Sequence, residues 1–303
     1  MQVRKLPVSQ GLAWFRAAID LGGRNPKAVF GAALLFIAVL YGLALAMTLV
    51  GAMFVAGEGA PDLTTLMIVS APVFIAIMVL MPILIGGLMH VIRESEAGRP
   101  VRARDLFAPF RTGHAKGLAM LGLLQIVFAI IGVAIVVTVA GPDYWTDYMA
   151  AMRSALGGAT PVFPQPRFPG LLFVVQLAFN YFTYAVMLFS VPLVLFSNLS
   201  LVEAVRASLG ASVRNVGANL LAAALFVGGT IVAAIIVALL AWLAGLIGGL
   251  VHVAVGTFLS LGILLGFGAM LLVVLTGCAY LAWRDTFDAP AAPTSQPFNG
   301  IEA

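Results

Sequence analysis

The chain has 303 residues, of which 62% are hydrophobic and only 9% are charged, and its formal net charge is +4. Soluble domains carry roughly 25% charged residues, so this composition excludes an ordinary soluble domain and predicts a polytopic membrane protein. The small net charge gives no indication of a nucleic-acid partner, and the expected partner is the lipid bilayer. Cys278 is the one cysteine, so no intramolecular disulfide can form.

Six apolar runs are predicted to cross the membrane as α-helices. A span needs about 20 apolar residues, since a helix rises 1.5 Å per residue across roughly 30 Å of hydrocarbon. The predicted spans lie at about 28–50, 66–92, 117–140, 171–196, 216–243 and 251–283. The last two belong to one apolar run, which we divide at the glycine-rich segment 244–249. The predicted fold is all-α, with three helical hairpins in a single transmembrane domain over residues 1–287 and a disordered cytoplasmic tail over 288–303.

A short amphipathic helix is predicted to precede the last hairpin. Ser200 and Glu203 have the S-x-x-E spacing of a capping box, in which each side chain satisfies a free backbone N–H group at a helix start. Val202, Val205 and Leu209 then recur at helical spacing and form an apolar stripe. This pattern is typical of an amphipathic helix that lies at a membrane surface.

The same pattern occurs near the N-terminus, where residues 12–36 align without gaps on residues 202–226. Three polar residues coincide in this alignment: Arg16 with Arg206, Arg24 with Arg214, and Asn25 with Asn215. The unbroken register indicates an internal duplication. Alternatively, any interfacial helix before a span needs an arginine and a small polar residue at these positions.

A third and degenerate copy of the amphipathic element is predicted at 101–116, where Pro109 and Gly113 shorten it. We therefore expect three pseudo-repeats, each with a cytoplasmic interfacial helix followed by a hairpin. They lie at about 9–93, 101–197 and 200–284.

The distribution of positive charge predicts the orientation of the chain. If the six spans alternate, all but two of the 16 Lys and Arg residues fall on one side of the membrane. The exceptions, Arg153 and Arg167, lie in the loop 141–169. The positive-inside rule then places both termini in the cytoplasm. Four arginines of the two clearest copies are expected to anchor their helices at the inner headgroup layer: Arg16, Arg24, Arg206 and Arg214.

Two loops have alternative interpretations. The charged stretch 93–116 is expected to be a solvated loop near anionic headgroups, or alternatively a docking surface for a cytoplasmic partner. The loop 141–169 has an aromatic first half typical of an interfacial helix and a proline-rich second half that is expected to be extended. We interpret this loop as a structural cap, with a lid or a partner contact as the alternative.

The fourth predicted span is the most polar one. Gln176, Asn180 and Thr183 fall at i, i+4 and i+7, which places them on one helix face, and Tyr184 lies beside them. Such residues can form hydrogen bonds between helices, worth about 1 kcal/mol each. Alternatively, they line a polar cavity.

Catalytic, metal and cofactor sites are not indicated by the sequence. No Asp, Glu, Lys or Arg is placed clearly within a hydrocarbon core, where ion-coupled transporters and intramembrane enzymes keep such a residue. The three histidines show no metal-ligand spacing. An intramembrane enzyme would require Asp143, Asp147 and His252 to converge, and we expect a protein that is not an enzyme.

The segment 192–215 contains Pro-Leu-Val-Leu-Phe, followed by Ser-Leu-Val-Glu-Ala-Val-Arg-Ala-Ser and then Arg-Asn. It resembles a recurring signature of bacterial inner-membrane proteins, namely the YciC-like proteins and the membrane domain attached to some glycerophosphoryl diester phosphodiesterases. The chain also resembles a small proteobacterial family of integral membrane proteins of unknown function. In that family a glycine-rich span end precedes a charged stretch ending in Leu-Phe, here at 86–107.

This resemblance covers about 82–219 and implies a location in the bacterial inner membrane. It carries no catalytic residues, and the soluble catalytic domain of the phosphodiesterases has no counterpart in this chain, so that activity is not implied. The glycine-rich spans, together with the absence of buried charge, predict a non-enzymatic scaffold or accessory protein of the bacterial envelope. Its partner would be another membrane protein or a second copy. The alternative is a transporter or a binding protein for a lipid or small amphiphile, with a cavity lined by the fourth span.

Overall fold

A computed structural model describes residues 3–55 and 63–287. Helices account for 86% of the described residues, and no β-strand occurs among them. The α-helices there are α1 (Gln10–Arg24), α2 (Pro26–Val55), α3 (Leu63–Glu96), α4 (Ala108–Arg111), α5 (Ala115–Ala140), α6 (Tyr144–Leu156), α7 (Pro169–Phe196), α8 (Leu201–Arg214), α9 (Val216–Val251) and α10 (Val253–Phe287). A 3-10 turn, Ala103–Phe107, leads directly into α4. The predicted tail at 288–303 lies outside the described residues.

Six of these helices are long and apolar enough to cross a membrane: α2, α3, α5, α7, α9 and α10. Consecutive spans pack side by side as the pairs α2–α3, α5–α7 and α9–α10. The prediction of an all-helical chain with six candidate membrane spans is therefore confirmed. The predicted capping box is also present, because the backbone N–H of Ser200 donates to the Glu203 carboxylate at 3.0 Å and α8 begins at the next residue.

Helix α9 runs through the glycine-rich segment at which the sequence predicted a turn. It continues to Val251, and the connection to α10 is made at His252, whose backbone is extended. The glycines serve packing instead, because a Cβ atom at Gly248 would lie 2.7 Å from the Cα of Gly256 on α10. Glycine lets two helix backbones approach this closely. The predicted boundary at 244–249 is therefore wrong.

Side-chain packing is concentrated at one end of the bundle, which we name the packed end. It comprises α1, the 3-10 turn with α4, α8, the first turns of α2, α5 and α9, and the last turns of α3, α7 and α10. Trp14 and Tyr280 lie at its centre and are only 2% and 1% exposed. The opposite end, with α6 and the α9–α10 connection, is named the open end. In the most apolar part of each span, only 11–17% of the residues are buried.

Helix α1 packs lengthwise against the C-terminal part of α10, and the two helices run antiparallel. The indole N–H of Trp14 donates to Asp285 at 2.9 Å, Ala18 contacts Gly277, and Gly22 contacts Val273. Helix α1 thus follows about 12 residues of α10, or roughly 18 Å at 1.5 Å per residue. The packed end therefore includes more than three turns of α10.

Helix α8 packs along α7 in a similar way. The hydroxyls of Ser190 and Ser208 are 2.9 Å apart, and the Tyr181 hydroxyl donates to the Ser212 carbonyl at 2.8 Å. The 3-10 turn packs against α3, where a Cβ atom at Gly87 would lie 1.7 Å from the Leu106 carbonyl oxygen. Each of the three short segments thus contacts the second span of a pair, namely α3, α7 or α10. Small residues make the contact.

Two residues of the apolar stripe predicted on α8 face outward from the bundle, whereas Val205 is half-buried and packs against the core. Val202 is 75% exposed and Leu209 is 43% exposed, whereas the buried face carries small residues. Those residues are Ala204, Ser208, Ala211 and Ser212. Ser208 is therefore a packing residue. Small side chains allow α8 to lie close against α7.

Candidate functional site

The polar face of α7 borders a cavity of about 360 Å³ between α5 and α7. Residues spaced at i, i+4 and i+7 share one helix face, and Gln176, Asn180 and Thr183 do so here. Tyr184 also lines the cavity. The structure therefore brings together all four residues that the sequence nominated as cavity-lining residues.

The remaining walls of the cavity come from three other helices. Gln125 on α5 adds a third amide to the polar lining, and Trp145 of α6 and Met78 of α3 also line the cavity. Aromatic and aliphatic side chains complete the walls, namely Phe128, Ala129, Val133, Val136 and Phe179. Sequence reasoning missed Gln125, although it is the one Asn or Gln within α5.

Gly132 of α5 leaves room for this cavity. A Cβ atom at that position would lie 3.0 Å from the ring edge of Phe179 on α7. Any larger side chain would therefore displace the Phe179 ring or extend into the space between the two spans. Gly132 is accordingly the position where the cavity can be filled by a single substitution.

None of the five polar side chains in the lining forms a hydrogen bond with another described residue. Hydrogen bonding between helices is instead made by Tyr181, which donates to the Ser212 carbonyl and accepts from the Asn219 amide at 3.3 Å. The interhelical hydrogen bonds considered for Gln176, Asn180 and Thr183 are therefore not formed in the described part of the chain.

The unpaired amides lie near the middle of a membrane span. Helix α7 has 28 residues, and Gln176 and Asn180 are roughly 11 Å and 17 Å from its first residue at 1.5 Å per residue. Gln176 is half-buried and Asn180 is exposed on the face that would meet lipid. An amide without a hydrogen-bond partner costs about 4–8 kcal/mol in a solvent that cannot hydrogen-bond. A polar molecule in the cavity would remove this cost.

The cavity is accessible from outside the bundle. Asn180 is exposed, and Tyr184 at the same edge is 63% exposed. In a membrane this edge would meet lipid, because neighbouring positions on α7, such as Leu177 and Phe173, are exposed and apolar. A molecule could therefore enter from the bilayer without opening the packed end.

Two acidic residues near the ends of spans are paired at the packed end. Glu96 accepts hydrogen bonds from the Tyr280 hydroxyl at 2.8 Å and from Arg284 at 2.7 Å. Asp285 accepts from the Gln10 amide and the Trp14 indole, both at 2.9 Å. These contacts join α1, α3 and α10 into one unit and indicate a structural role.

The charged stretch after α3 is also largely paired. Glu94 and Arg99 form an ion pair. Arg111 donates to Asp105 at 2.5 Å and thereby holds the pKa of that carboxyl below its usual value. Arg102 and Arg104 are exposed. Both interpretations of this stretch, a solvated loop or a docking surface, stay open.

The four arginines predicted to be anchors fall into two pairs. Arg16 and Arg206 are exposed on α1 and α8. Arg24 and Arg214 instead donate to backbone carbonyl groups, those of Glu96 at 3.2 Å and Val3 at 2.9 Å. Arg24 and Arg214 therefore also hold neighbouring segments in place.

Asn215 reinforces the second of these contacts. It is buried, accepts a hydrogen bond from the Leu6 N–H at 2.8 Å and donates to the Arg4 carbonyl at 2.9 Å. The side chain of Asn25 accepts from the Ala28 N–H at 3.3 Å, at the start of α2. Both asparagines occupy the break between a short helix and a span.

The three residues that an intramembrane enzyme would need are not joined. His252 accepts a hydrogen bond from the Ala254 N–H within its own turn at 3.1 Å, and no described hydrogen bond or ion pair links it to Asp143 or Asp147. Among the residues that the structure describes, no group of three His, Cys, Asp or Glu side chains could hold a metal ion. The polar cavity is therefore the candidate site.

Comparisons with known proteins found no matching family model, no matching curated protein and no matching solved structure. The resemblance of the segment 192–215 to the YciC-like proteins therefore stays a prediction.

Proposed function

We propose that this chain is a multi-pass protein of the bacterial inner membrane that binds a lipid or small amphiphile in the polar cavity, without a chemical step. One observation carries the proposal. Five polar side chains from α5 and α7 converge on a cavity of about 360 Å³ and have no hydrogen-bond partner among the described residues. Small-molecule sites combine apolar walls with a few polar groups and commonly measure about 300–1,000 Å³.

The proposed orientation places the packed end in the cytoplasm. Basic residues cluster at this end, in α1, in the stretch from Arg93 to Lys116 and in α8, whereas the open end carries Arg153 and Arg167. The positive-inside rule favours this orientation. The cavity would then open to the outer half of the bilayer.

The proposed pseudo-repeat is supported by the positions of the helix breaks and by burial. Helix α1 ends at Arg24 and α8 at Arg214, and the next span begins two residues later in both cases. The buried positions Trp14, Ala18 and Leu21 correspond to Ala204, Ser208 and Ala211. Each unit would combine a short docking segment at the packed end with a pair of spans.

The proposed interfacial role of α1 and α8 is supported by their outward faces. Arg206 lies between the exposed residues Val202, Leu209 and Val213, and Arg16 lies near the exposed Ile19. Apolar side chains around an arginine suit the boundary between headgroups and acyl chains. Arg16 and Arg206 would contact lipid phosphates there.

A scaffold or accessory protein is the second candidate function. It is favoured by a groove of about 520 Å³ along α9 and α10 near the open end, lined by glycines, Val253 and Leu261 among others. A Cβ atom at Gly249 would meet no other atom within 4 Å, so this groove could take a helix of a membrane-protein partner or of a second copy. This candidate needs no ligand in the α5–α7 cavity.

Native mass spectrometry of the full chain, released from lipid nanodiscs, tests the proposed binding. We expect the wild-type protein to retain a bound lipid. Gly132→Leu should reduce the ratio of lipid-bound to lipid-free protein about 10-fold, which corresponds to about 1.4 kcal/mol of binding free energy, because the new side chain occupies the cavity.

Gly228→Leu is the matched control, because no atom lies within 4 Å of a Cβ placed at Gly228 on α9. It makes the same chemical change in another span and should retain lipid like the wild type. Equal lipid retention by the two variants would exclude the cavity as the binding site and favour the scaffold.

A further inference from the structure

The polar groups that line the cavity are all uncharged. They are three amides, Gln125, Gln176 and Asn180, two hydroxyls, Thr183 and Tyr184, and the indole of Trp145. An amide offers both donors and acceptors, and a hydroxyl offers one donor and two acceptor sites. This set matches a ligand group that can itself donate and accept, such as a hydroxyl or an amide, and its N–H and O–H groups can also donate to an ester carbonyl.

Charged side chains are absent from the lining of this cavity. Helix α7 contains no Asp, Glu, Lys, Arg or His, and Lys116 lies two turns or more before Gln125 on α5. Helix α6 carries Asp147 and Arg153, and the loop after it carries Arg167, whose guanidinium lies over the Phe168 ring at 5.2 Å. None of these three residues lines the cavity.

An ionised group would therefore enter the cavity without a counter-charge. Moving an ion from water into a medium of low dielectric constant is far more costly than moving a neutral polar group, and this cost is offset only by a close opposite charge. Neutral amides can satisfy a hydroxyl or a carbonyl but cannot neutralise a phosphate or a carboxylate. The lining thus discriminates by charge.

The size and shape of the cavity suit a small head. A volume of about 360 Å³ lies near the lower end of the range for small-molecule sites. The rest of an amphiphile would leave through the edge at Asn180 and Tyr184, where the exposed apolar residues of α7 meet lipid. Phe128, Phe179 and Met78 would contact the first part of its chain.

We infer that the ligand is an amphiphile with an uncharged polar head, such as a diacylglycerol, and that amphiphiles with phosphate or carboxylate heads are rejected. This inference rests on the proposed binding function and specifies its ligand class. Selection arises from the amides of α5 and α7 and from the absence of a counter-charge beside them.

Photolabelling of the full chain in nanodiscs tests the inference. Two probes with the same photoactivatable acyl chains are compared, a diacylglycerol and a phosphatidic acid, which differ only in the phosphate. We expect at least about 10-fold stronger labelling of α5 and α7 by the diacylglycerol, equivalent to about 1.4 kcal/mol of discrimination. Gly132→Leu should abolish this labelling, and Gly228→Leu should keep it.

A charge introduced into the lining should change the selectivity. Asn180→Lys supplies the missing counter-charge, so the ratio of phosphatidic acid to diacylglycerol labelling should rise at least about 10-fold. The comparison of the two probes on the wild-type protein stands by itself if this variant does not fold.

The outcomes separate the inference from the proposed function. Labelling by phosphatidic acid that equals or exceeds labelling by diacylglycerol, and that is lost in Gly132→Leu, overturns the inference and supports binding in the cavity. Labelling that is the same in Gly132→Leu and Gly228→Leu for both probes overturns the proposed function and the inference together.

Discussion

Polar side chains at the packed end form hydrogen bonds with one another, whereas those in the cavity near the open end do not. At the packed end, Glu96 binds Tyr280 and Arg284, and Asp285 binds Gln10 and Trp14. In the cavity, Gln125 and Asn180 have no hydrogen-bond partner among the described residues. The first set joins three helices, whereas the second set faces a space that another molecule could fill.

This difference separates stability from binding. Hydrogen bonds and close backbone contacts stabilise the packed end, where α1, α4 and α8 dock on the ends of the spans. Between α5 and α7 a cavity remains, and with it the cost of unpaired amides in hydrocarbon. We therefore expect substitutions at the packed end to change stability and substitutions in the cavity to change binding.

The largest effect is expected from Gly87→Val. The added side chain would collide with the Leu106 carbonyl, because even a Cβ atom would lie 1.7 Å from that oxygen. Overpacking commonly costs about 1–3 kcal/mol, and we expect a loss at or above the upper value because rigid backbone must move. The midpoint of thermal unfolding of the purified protein measures it.

Gly42→Val is the control for this prediction, since a Cβ atom at Gly42 on α2 meets nothing within 4 Å. It should unfold close to the wild-type midpoint. Equal midpoints for the two variants would contradict the close docking of the 3-10 turn on α3.

A smaller loss is expected from Glu96→Gln, which removes the ion pair with Arg284. Breaking a fully buried pair costs roughly 3–5 kcal/mol. The side chains of Glu96 and Arg284 are 16% and 25% exposed, so we expect about 2 kcal/mol. Asp147→Asn makes the same kind of change on the exposed surface of α6. If Asp147→Asn lowered the unfolding midpoint as much as Glu96→Gln does, the proposed contrast between the two ends would be wrong.

Two asparagine substitutions should change stability in opposite directions. Asn180→Leu removes an unpaired amide from the cavity and should stabilise the ligand-free protein by about 1 kcal/mol. Asn219→Leu removes the hydrogen bond to Tyr181 and should destabilise it by about 1 kcal/mol. Unfolding in delipidated detergent solution compares them. A destabilising Asn180→Leu would show that Asn180 has a structural partner.

The smallest effect is expected at Asp105. Because the hydrogen bond from Arg111 lowers the pKa of this carboxyl in the folded protein, its contribution is present above the unfolded pKa and is lost as the pH falls through the folded pKa. The unfolding midpoint of Asp105→Asn should therefore lie below the wild-type midpoint near neutral pH. The difference should begin to shrink as the pH falls below roughly 4 and should vanish below the folded pKa.

Arg111→Gln provides the reciprocal test of this ion pair. Its unfolding midpoint should also lie below the wild-type midpoint near neutral pH and approach it in acid. The double variant, with both substitutions, should lose no more stability than either single variant. Both effects should be small, because the Arg111 side chain is 57% exposed and exposed ion pairs contribute little. A pH-dependent difference that persists in Arg111→Gln would assign the contribution of Asp105 to another partner.

Features with a local cause were predictable from the sequence. The six apolar runs, the capping box at Ser200 and Glu203, and the shared face of Gln176, Asn180 and Thr183 each follow from spacing within one helix. Features that depend on a second segment were not predictable. The glycines near the end of α9 have the composition of a turn, but they allow a close backbone contact between Gly248 and Gly256 of α10.

The candidate site shows the same limit. Spacing identified its α7 wall, but Gln125 became relevant only when the fold placed α5 opposite α7. The buried side of α8 was also missed, because hydrophobicity points to Val202 and Leu209 while close packing selects Ala204 and Ser208. Hydrophobic spacing indicates which residues avoid water, and it does not distinguish lipid from protein as their neighbour.

The central claim is that the polar cavity between α5 and α7 holds an amphiphile. Structure determination by cryo-electron microscopy of the full chain in nanodiscs of native lipids tests this most directly. We expect elongated density in the cavity, with its polar end within hydrogen-bonding distance of Asn180 and its chain leaving beside Tyr184. A cavity closed by direct hydrogen bonds among Gln125, Gln176 and Asn180, with no such density, would contradict the claim.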